Sequence, residues 1–445
     1  MQHATVVLSI LGIKFWLMNN AQHKVVVVGG KRTPFTKSFG HYARISNQEL
    51  LIQALDGVAK AYGLEGKTVG DVALGAVVKS SLDWNMAREA VLGSVLHPTQ
   101  QAYDVQRACG TSLETVNQIA LKIATGQIDS GIAGGVDSNS DLPVMAKQSL
   151  AWKLIDLNQA KTFGQRLSRM LAFRPSDFKP QLFSVLEPRT GKSMGQHTEL
   201  TVKNWQITRE AQDELAMVSH HNAAKAYEEG FFEDLVLEYR GLKADTFVRA
   251  TTSMEKLAKL PPVFDRSAAG TLTAGNSTPL TDGAAAVLLA SEDHAKAQGW
   301  PILAYVKDVT TAAVDFVAGE DLLIAPAKAV ADLLKRNQLT FADIDYFEIH
   351  EAFAGQVLAT LKAWEDEEYS RNRLGWDGAL GSIDRSKLNV AGGSLALGHP
   401  FAATGARIVA QAAKMLKTKG GKRALISVCT AGGMGVAAIL ERAED

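Results

Sequence analysis

Short apolar runs alternate with longer amphipathic runs in the first third of the chain. The run from Lys24 to Gly29 is rich in valine and ends in a glycine pair, which indicates a buried strand. QELLIQALDGVAKAYG has helical periodicity, and DVALGAVVK has the pattern of a second strand. A strand, a turn, a helix and the strand GIAGGV then follow between residues 103 and 136. This alternation predicts a layered α/β sheet.

The last third of the chain repeats this order. PILAYVKDVTTAAV, PAKAVADLLKRNQ and DIDYFEIHEAF predict a strand, a helix and a strand that enters a turn; GHPFAATGAR then opens a helix, and RALISVCTAGG predicts a final strand. The segment from Cys109 to Gly135 matches the segment from His399 to Gly433 in its sequence of turn, helix, link, apolar strand and glycine pair. The chain is therefore predicted to have two similar halves, with Cys109 and His399 in equivalent turns.

The sequence between these halves has a different pattern. Residues 141–270 show little alternation, contain helical stretches and scattered prolines, and are predicted to form an inserted, partly helical loop domain. The N-terminal half then comprises residues 24–140 and 271–297, and the C-terminal half residues 298–445. Within the insertion, residues 153–192 carry eight Lys or Arg against three Asp or Glu. Such a segment fits a solvated helical face, a cradle for a phosphorylated substrate, or a surface that docks on a membrane or partner.

The first 23 residues stand apart from this pattern. Residues 4–18 are apolar, but they are fewer than the roughly 20 residues that a spanning helix needs. They also lack a basic leader and an A-x-A-like cleavage site. We interpret residues 1–23 as an extension outside the fold, with Met18 as a candidate translation start.

Composition narrows the class of protein. A chain of 445 residues with 46% hydrophobic and 21% charged residues is expected to form two or three packed units. The 47 basic and 47 acidic residues give a net charge of zero, so no nucleic-acid partner is expected. Two cysteines make no disulfide framework and fit a reducing compartment, which we expect to be the cytoplasm. The sequence has no HExxH, CxxC or P-loop pattern, so neither a metal centre nor nucleotide hydrolysis is expected.

Cys109 is either a buried structural thiol or a nucleophile. TSLETVNQIALKIATG, which follows it, has a Ser/Thr start, Glu114 in its first turn and a terminating Gly126, as a helix does. A thiol just before a helix lies at the positive end of the helix dipole, which favours the thiolate. Backbone N–H groups at that position can also face a developing oxyanion. A structural disulfide between Cys109 and Cys429 is the remaining alternative.

Two histidines lie in predicted turns. Gly398 and Pro400 flank His399, which predicts a tight turn with close backbone approach. A turn histidine often only satisfies local hydrogen bonds, but the equivalence with the Cys109 turn makes His399 a candidate base for that thiol. His350 follows the predicted strand DIDYFEI and opens HEAFAGQ, where it is either a structural histidine of the core or part of the site.

These motifs, in this order, resemble the thiolase family. RACGTS, GNSTPLTDGAAA, HEAF, GGSLALGHPFAATGAR and CTAGGMG each match a separate family signature, and the resemblance extends from Lys24 to Glu441. It implies the thiolase fold, an α/β fold of two similar βαβαβ-type halves in five layers, α-β-α-β-α, with an inserted loop domain. HEAF and GHPFAATGAR are most similar to the fatty-acid β-oxidation branch that partners a hydratase/dehydrogenase, the trifunctional-complex β-subunit type.

The resemblance also implies roles for the candidate residues. Cys109 matches the acylated nucleophile, His399 the histidine that activates it and forms part of an oxyanion hole, and Cys429 the acid/base at the substrate α-carbon. His350 stands where many members have Asn, and its implied role is to hold an oxyanion-hole water. Ala431, at a position where glycine is frequent, matches a backbone N–H donor of a second oxyanion hole.

The implied substrate is an acyl-CoA. Thr278 matches a position near the pantetheine arm, CoA acts as co-substrate, and no permanently bound cofactor is implied. The reaction would be cleavage of 3-ketoacyl-CoA by CoA to acetyl-CoA and a shortened acyl-CoA through an acyl-cysteine. The family also implies a homodimer or larger oligomer, and the branch implies a complex with a hydratase/3-hydroxyacyl-CoA dehydrogenase subunit.

Three other functions compete with this hypothesis. The same residues run in reverse would make an acetyl-CoA C-acetyltransferase that forms acetoacetyl-CoA. A decarboxylating ketoacyl synthase shares the fold but has no thiol in the last strand's loop, so Cys429 argues against it. A non-catalytic acyl-CoA-binding relative would have lost Cys109, His399 or Cys429, and this sequence keeps all three.

Overall fold

Strands and helices alternate along residues 23–80, 82–182 and 184–443, which are the residues that this computed structural model describes. The predicted N-terminal extension, except for His23, and its candidate start at Met18 lie outside the described residues. The strands are β1 (Val25–Arg32), β2 (Thr36–Lys37), β3 (Asp71–Leu74), β4 (Tyr103–Asp104), β5 (Ser130–Ser138), β6 (Val144–Met145), β7 (Gln181–Leu182), β8 (Thr281–Ser291), β9 (Ala304–Ala313), β10 (Tyr346–Ile349), β11 (Arg423–Thr430) and β12 (Met434–Arg442).

Helices separate most of these strands. The α-helices are α1 (Asn47–Ala61), α2 (Met86–Gly93), α3 (Thr111–Ala124), α4 (Gln148–Asn158), α5 (Phe163–Leu171), α6 (Met194–Asn204), α7 (Arg209–Glu228), α8 (Met254–Ala258), α9 (Glu292–Gln298), α10 (Ala325–Asn337), α11 (Ala354–Glu365), α12 (Glu367–Tyr369), α13 (Ser394–Leu397) and α14 (Thr404–Lys419). Short 3₁₀ turns cover Pro175–Phe178, Phe341–Asp343, Arg385–Lys387 and Phe401–Ala403, and a π turn covers Ser370–Leu374. In the described part of the chain, no helix is long and apolar enough to cross a membrane.

The main sheet consists of two half-sheets with the same topology. Its strand order is β10-β11-β12-β9-β1-β8-β5-β3-β4, with β2 beside β8. In one half β3 and β5 are parallel, and β8 and β1 continue antiparallel; in the other half β10 and β11 are parallel, and β12 and β9 continue antiparallel. The halves join where β1 pairs with β9. This repeated order confirms the predicted two similar halves.

Five layers follow from the way each strand alternates its side chains. Val26 and Val28 of β1 pack into a cluster with α1 and α2, whereas Val25 and Val27 pack into the central cluster with α3 and α14. On the far side, α10 and α11 cover the other half-sheet. The layers are therefore α1/α2, the first half-sheet, α3/α14, the second half-sheet and α10/α11, as the α-β-α-β-α arrangement predicts.

The central helices α3 and α14 touch at their first turns. The Ala406 N–H donates to Ser112 Oγ at 2.8 Å, so the two helix starts are joined directly. A Cβ on Gly405 would come 2.3 Å from the Leu113 nitrogen, which explains why only glycine allows this approach. The turns that precede these helices, with Cys109 and His399, therefore lie side by side.

A buried ion pair fastens the segment between the halves to the first strand. Two guanidinium nitrogens of Arg32 in β1 lie 2.5 and 2.6 Å from the carboxylate oxygens of Asp245. Asp245 also accepts the Phe35 N–H and the hydroxyl of Tyr227 in α7. In contrast, α4 and α5 bury none of their side chains.

The structure contains two strands, β8 and β12, that the sequence pattern did not predict. RALISVCTAGG is not the final strand, because the chain turns back at Gly432 and Gly433 and continues antiparallel as β12. The small-residue run after GNSTPL, for which the sequence pattern predicted no strand, forms β8 within the sheet at residues 281–291. All of its residues are buried, so the polar alternation that marks a half-exposed strand is missing.

Candidate active site

A strained turn presents Cys109 at the start of α3. Ala108 has φ 43, in the left-handed region that costs a non-glycine residue about 1–2 kcal/mol. Thr111 stabilises the turn, because its Oγ1 donates to the Ala108 carbonyl at 2.6 Å and accepts the Arg107 N–H at 2.9 Å. Gly110 caps the helix, and Cys109, a half-buried residue, lies just before it.

His399 contacts this sulfur from the equivalent turn before α14. Its Nε2 lies 3.2 Å from Cys109 Sγ, and its Nδ1 lies 2.6 Å from Thr404 Oγ1. The His399 backbone N–H donates to Thr281 Oγ1 at 3.1 Å, so β8 of the GNSTPLTDGAAA motif holds the turn. The two residues predicted to form a nucleophile and base are therefore in direct hydrogen-bond contact.

Burial keeps both members of this pair neutral. Desolvation, and next the charge of Asp137, raises the pKa of the Cys109 thiol to about 12. Desolvation, and next the charge of Arg407, lowers the pKa of His399 to about 3. The helix dipole was expected to favour a resting thiolate, but desolvation outweighs it here. The sulfur therefore needs His399 to take its proton as it attacks.

Two backbone N–H groups act on the same sulfur. The N–H groups of Ala431 and of Cys109 itself lower the pKa of the Cys109 thiol against the effect of burial. The alanine at the position where glycine is frequent keeps this donor, since only its backbone is used. A carbonyl oxygen attached to the sulfur could be stabilised by the same pair of donors.

Cys429 lies at the end of β11, next to the turn with Ala431. It is 2% exposed and packs in an apolar cluster with Leu272, Phe353 and other side chains. Desolvation, and next the charge of Cys109, raises the pKa of the Cys429 thiol. Both cysteines are free thiols, so the structure does not contain the disulfide considered as an alternative.

The ring of His350 lies beside that of His399, tilted by 44°. The ring centroids are 4.0 Å apart, and His350 is 1% exposed. Its Nδ1 lies 2.7 Å from Ser394 Oγ, whereas its buried Nε2 has no hydrogen-bond partner among the described residues. Desolvation lowers the pKa of His350 well below its ordinary value, and His399 and Arg407 lower it further. His350 is thus a neutral imidazole with one unused nitrogen beside the Cys109–His399 pair.

Thr278 joins the loop before β8 to the HEAF turn. Its N–H and its Oγ1 both donate to the Ala352 carbonyl, at 3.0 and 3.1 Å. Ser277 of the same loop forms an isolated bridge with Phe353, which packs beside Cys429. The predicted substrate-binding position is thus joined to the HEAF turn, and its contact with a pantetheine arm stays a prediction.

Several buried acidic residues position the site, and sequence reasoning did not identify them. Asp137 at the end of β5 accepts backbone N–H groups from Val77, Val78 and Ala402, and thereby holds the turn after His399. The signal for it was an acidic residue inside the otherwise apolar IAGGVDS, because a buried carboxylate needs several donors.

Glu351 is the acidic residue of HEAF, and its buried carboxylate accepts three hydrogen bonds. Its carboxylate accepts Ser219 Oγ of α7 at 2.7 Å, Asn389 Nδ2 at 2.5 Å and the Leu395 N–H at 3.1 Å. Glu187 similarly accepts the Gly432 N–H at 2.6 Å and fixes the turn after Cys429.

Among the residues with described positions, no group of three or more His, Cys, Asp or Glu side chains could hold a metal ion.

Comparison with known proteins shows the family of this chain. The family description "Thiolase, N-terminal domain" matches residues 25–293, and "Thiolase, C-terminal domain" matches residues 300–442. A 3-ketoacyl-CoA thiolase of Pectobacterium atrosepticum is 41% identical over 431 residues, covering 96% of this chain and 98% of that protein.

Solved structures show the same fold. The acetyl-CoA acetyltransferase of Bacillus anthracis superposes with a TM-score of 0.80 at 31% identity, covering 95% of this chain and 100% of the other. Human mitochondrial 3-ketoacyl-CoA thiolase in complex with CoA superposes with a TM-score of 0.79 at 28% identity, covering 95% and 98%. The predicted resemblance is confirmed: this chain belongs to the thiolase family.

Proposed function

We propose that this chain cleaves 3-ketoacyl-CoA with CoA, releasing acetyl-CoA and a shortened acyl-CoA, in fatty-acid β-oxidation. The observation that carries the proposal is the 3.2 Å contact between Cys109 Sγ and His399 Nε2. Cys429 supplies a second thiol at the same site, and a relative 41% identical is named 3-ketoacyl-CoA thiolase. The three groups provide a nucleophile, a base and an acid, which are the groups that a carbon–carbon cleavage through a thioester requires.

The first half-reaction forms an acyl-enzyme. His399 Nε2 takes the Cys109 proton, and the sulfur attacks the 3-keto carbon of the substrate, whose oxygen gains the negative charge. The bond between C2 and C3 then breaks, and its electron pair leaves with the acetyl-CoA fragment as an enolate. Cys429 gives that enolate its proton, so acetyl-CoA departs while the acyl group stays on Cys109.

The second half-reaction restores the resting protonation of Cys109, His399 and Cys429. The CoA thiol gives its proton to the Cys429 thiolate and attacks the thioester carbon. Cys109 leaves as a thiolate and recovers the proton held by His399. The N–H groups of Ala431 and Cys109, which lower the pKa of the Cys109 thiol, are the proposed donors to the thioester oxygen at this step.

The reverse reaction is the main alternative. An acetyl-CoA acetyltransferase that forms acetoacetyl-CoA would use the same three residues, and one structural relative carries that name at 31% identity. The degradative role is favoured by the higher identity, 41%, to a relative named 3-ketoacyl-CoA thiolase.

A substrate comparison tests the proposed function. We expect CoA-dependent cleavage of a C10 to C16 3-ketoacyl-CoA with kcat/KM at least about tenfold above that for acetoacetyl-CoA, a difference of about 1.4 kcal/mol in transition-state binding. The measurement is the loss of the 3-ketoacyl-CoA absorbance in steady state, with and without a hydratase/dehydrogenase partner. A preference for acetoacetyl-CoA would support the acetyltransferase, and no CoA-dependent cleavage of either substrate would contradict the proposal.

The neutral Cys109–His399 pair predicts a flat pH profile for acylation. Because the lowered pKa of His399 is about 3 and the raised pKa of Cys109 is about 12, neither group titrates near neutral pH. We expect kcat/KM for acyl-enzyme formation to change by less than about threefold between about pH 6 and pH 9. Rapid-quench measurement of the acylation step checks this. A pH profile that falls off near the ordinary pKa values of histidine and cysteine, about 6.5 and 8.5, would show that the site does not perturb these groups.

Family membership also supports inferences about the co-substrate, the oligomeric state and the partner subunit. We infer that CoA is a co-substrate, that the chain works as a homodimer or larger oligomer, and that it associates with a hydratase/3-hydroxyacyl-CoA dehydrogenase subunit. Because both cysteines must stay reduced for the mechanism, the proposed compartment is the cytoplasm. The helices α4 and α5 expose Trp152, Phe163 and Leu171 beside basic side chains, which supports a membrane or partner contact there.

A further inference from the structure

Three buried polar groups, Arg407, Ser394 and His350, are hydrogen-bonded in series from α14 to Nδ1 of the His350 ring. Arg407 Nη2 donates to Ser394 Oγ at 2.9 Å, and Ser394 Oγ lies 2.7 Å from His350 Nδ1. Arg407, Ser394 and His350 are 3%, 0% and 1% exposed, so water does not compete for these contacts. None of the sequence motifs assigns a role to Ser394 or Arg407.

The donors and acceptors in this chain determine which ring nitrogen of His350 carries hydrogen. A guanidinium only donates, so Ser394 Oγ must accept from Arg407. Its own hydrogen then points away from the cation, and His350 Nδ1 is its other hydrogen-bond partner among the described residues. The opposite arrangement, with Nδ1–H donating to Ser394, would leave the serine hydrogen buried without an acceptor, at a cost of about 1–3 kcal/mol. Nδ1 therefore accepts, and Nε2 carries the hydrogen.

We propose that Ser394, oriented by Arg407, is a positioning residue that holds His350 in the Nε2–H form and so provides an N–H donor for the oxygen of the reacting carbonyl. The inference rests on the proposed function, because that oxygen belongs to the 3-ketoacyl-CoA or acetyl-CoA. Two observations support it beyond the hydrogen bonds: Nε2 is buried without a partner in the described chain, and the ring lies 4.0 Å from that of His399. The donor can act directly or through a bound water.

His399, which contacts Cys109, has a different hydrogen-bond partner at Nδ1 from that of His350, and this difference matches the proposed roles of the two histidines. Nδ1 of His399 contacts Thr404 Oγ1, for which the structure shows no second hydrogen-bond partner in the described ranges. The Thr404 hydroxyl can therefore either donate or accept, so His399 is free to gain and lose a proton at Nε2. Ser394 is committed by Arg407, so His350 keeps one form through the cycle. A base needs the first arrangement, and a fixed donor needs the second.

Arg407 remains a cation at neutral pH. Burial lowers the pKa of its guanidinium to about 10, and Glu348 counters this effect. Gln411 connects the two sides, because its Nε2 donates to Glu348 Oε2 at 3.0 Å and its Oε1 accepts from Arg407 Nη1 at 3.4 Å. At neutral pH the guanidinium is therefore charged and continues to orient the Ser394 hydroxyl.

Two measurements on the full chain test this inference. The first is ¹⁵N NMR of the histidine rings, with His350 assigned from His350→Gln: we expect an unprotonated Nδ1 and a protonated Nε2 in the wild type, and Nδ1–H in Ser394→Ala. The second is kinetic. Ser394→Ala is expected to lower kcat about 10- to 100-fold with KM nearly unchanged, as loss of a group that orients a catalytic side chain does. In a His350→Ala background the same change should have less than about a twofold effect, since the two residues act as a unit.

Ser370→Ala is the matched control, because it removes another buried hydroxyl, one that accepts the Leu380 N–H away from the thiols. It should leave kcat within about twofold of the wild type. A protonated Nδ1 in the wild type, or an equal loss from Ser394→Ala with and without His350, would overturn the inference. The NMR result needs no turnover, so absence of thiolase activity in the wild type would refute the proposed function without deciding the tautomer.

Discussion

Replacing Cys109 by alanine is expected to lower kcat for 3-ketoacyl-CoA cleavage by at least about 10⁴-fold, because no other group can carry the acyl intermediate. Cys109 is the sulfur placed by the strained Ala108 turn against His399 Nε2 and the Ala431 N–H. Cys429 cannot substitute for it, since the His399 Nε2 that takes the nucleophile's proton contacts Cys109 Sγ. Steady-state cleavage assays with a C10 to C16 substrate measure the loss.

His399→Ala is the companion variant, because it removes the base that acts on the same sulfur. We expect a loss of similar size from His399→Ala and little further loss when it is added to Cys109→Ala, because a nucleophile and its base fail together. Thermal unfolding should show that both variants fold, since neither removes a large part of the core. Cleavage in Cys109→Ala within about 100-fold of the wild type would contradict the assignment of the nucleophile.

Replacing Cys429 by alanine is expected to separate the two halves of the reaction. The variant should lose exchange of the acetyl-CoA α-proton with solvent by at least about 10³-fold, because general acid/base catalysis contributes about 10²–10⁴ and no second acid/base is assigned at this position. Cys109 and His399 remain in contact, so acylation by a simple thioester should persist within about tenfold.

Two assays follow these steps separately. Incubation of deuterated acetyl-CoA with the enzyme and mass spectrometry of the recovered thioester measures exchange, and a burst of free CoA measures acylation. Cys429→Ser is the conservative comparison: its hydroxyl fills the same space but is a far weaker acid. Exchange at the wild-type rate in Cys429→Ala would remove this residue from the mechanism.

The pattern of the sequence was sufficient to predict the duplicated architecture. Repetition of turn, helix and strand after Cys109 and after His399 predicted equivalent turns, and the matching strand order of the half-sheets confirms the two halves. It failed at β8, because a strand buried on both faces has no alternation, and at β12, which follows the Gly432–Gly433 turn and pairs antiparallel with β11.

The residue types of the site could be predicted from the sequence, but their electrostatic environment could not. A sequence shows that a thiol precedes a helix, but it does not show how completely the thiol is desolvated, and desolvation decides that Cys109 rests as a thiol. Likewise, Ser394 and Arg407 are 13 positions apart and act on His350 only because α13 and α14 fold back on β10. Contacts of that kind depend on tertiary packing, which no local pattern contains.

One measurement tests the central claim most directly. The enzyme is mixed with a 3-ketoacyl-CoA in the absence of free CoA, quenched in acid, digested, and mapped by peptide mass spectrometry. The account predicts a shortened acyl group, two carbons fewer than the substrate chain, on the peptide that contains Cys109, and release of one acetyl-CoA per acylated site. An acyl group on Cys429 or on any other residue, or cleavage with no covalent intermediate, would contradict it.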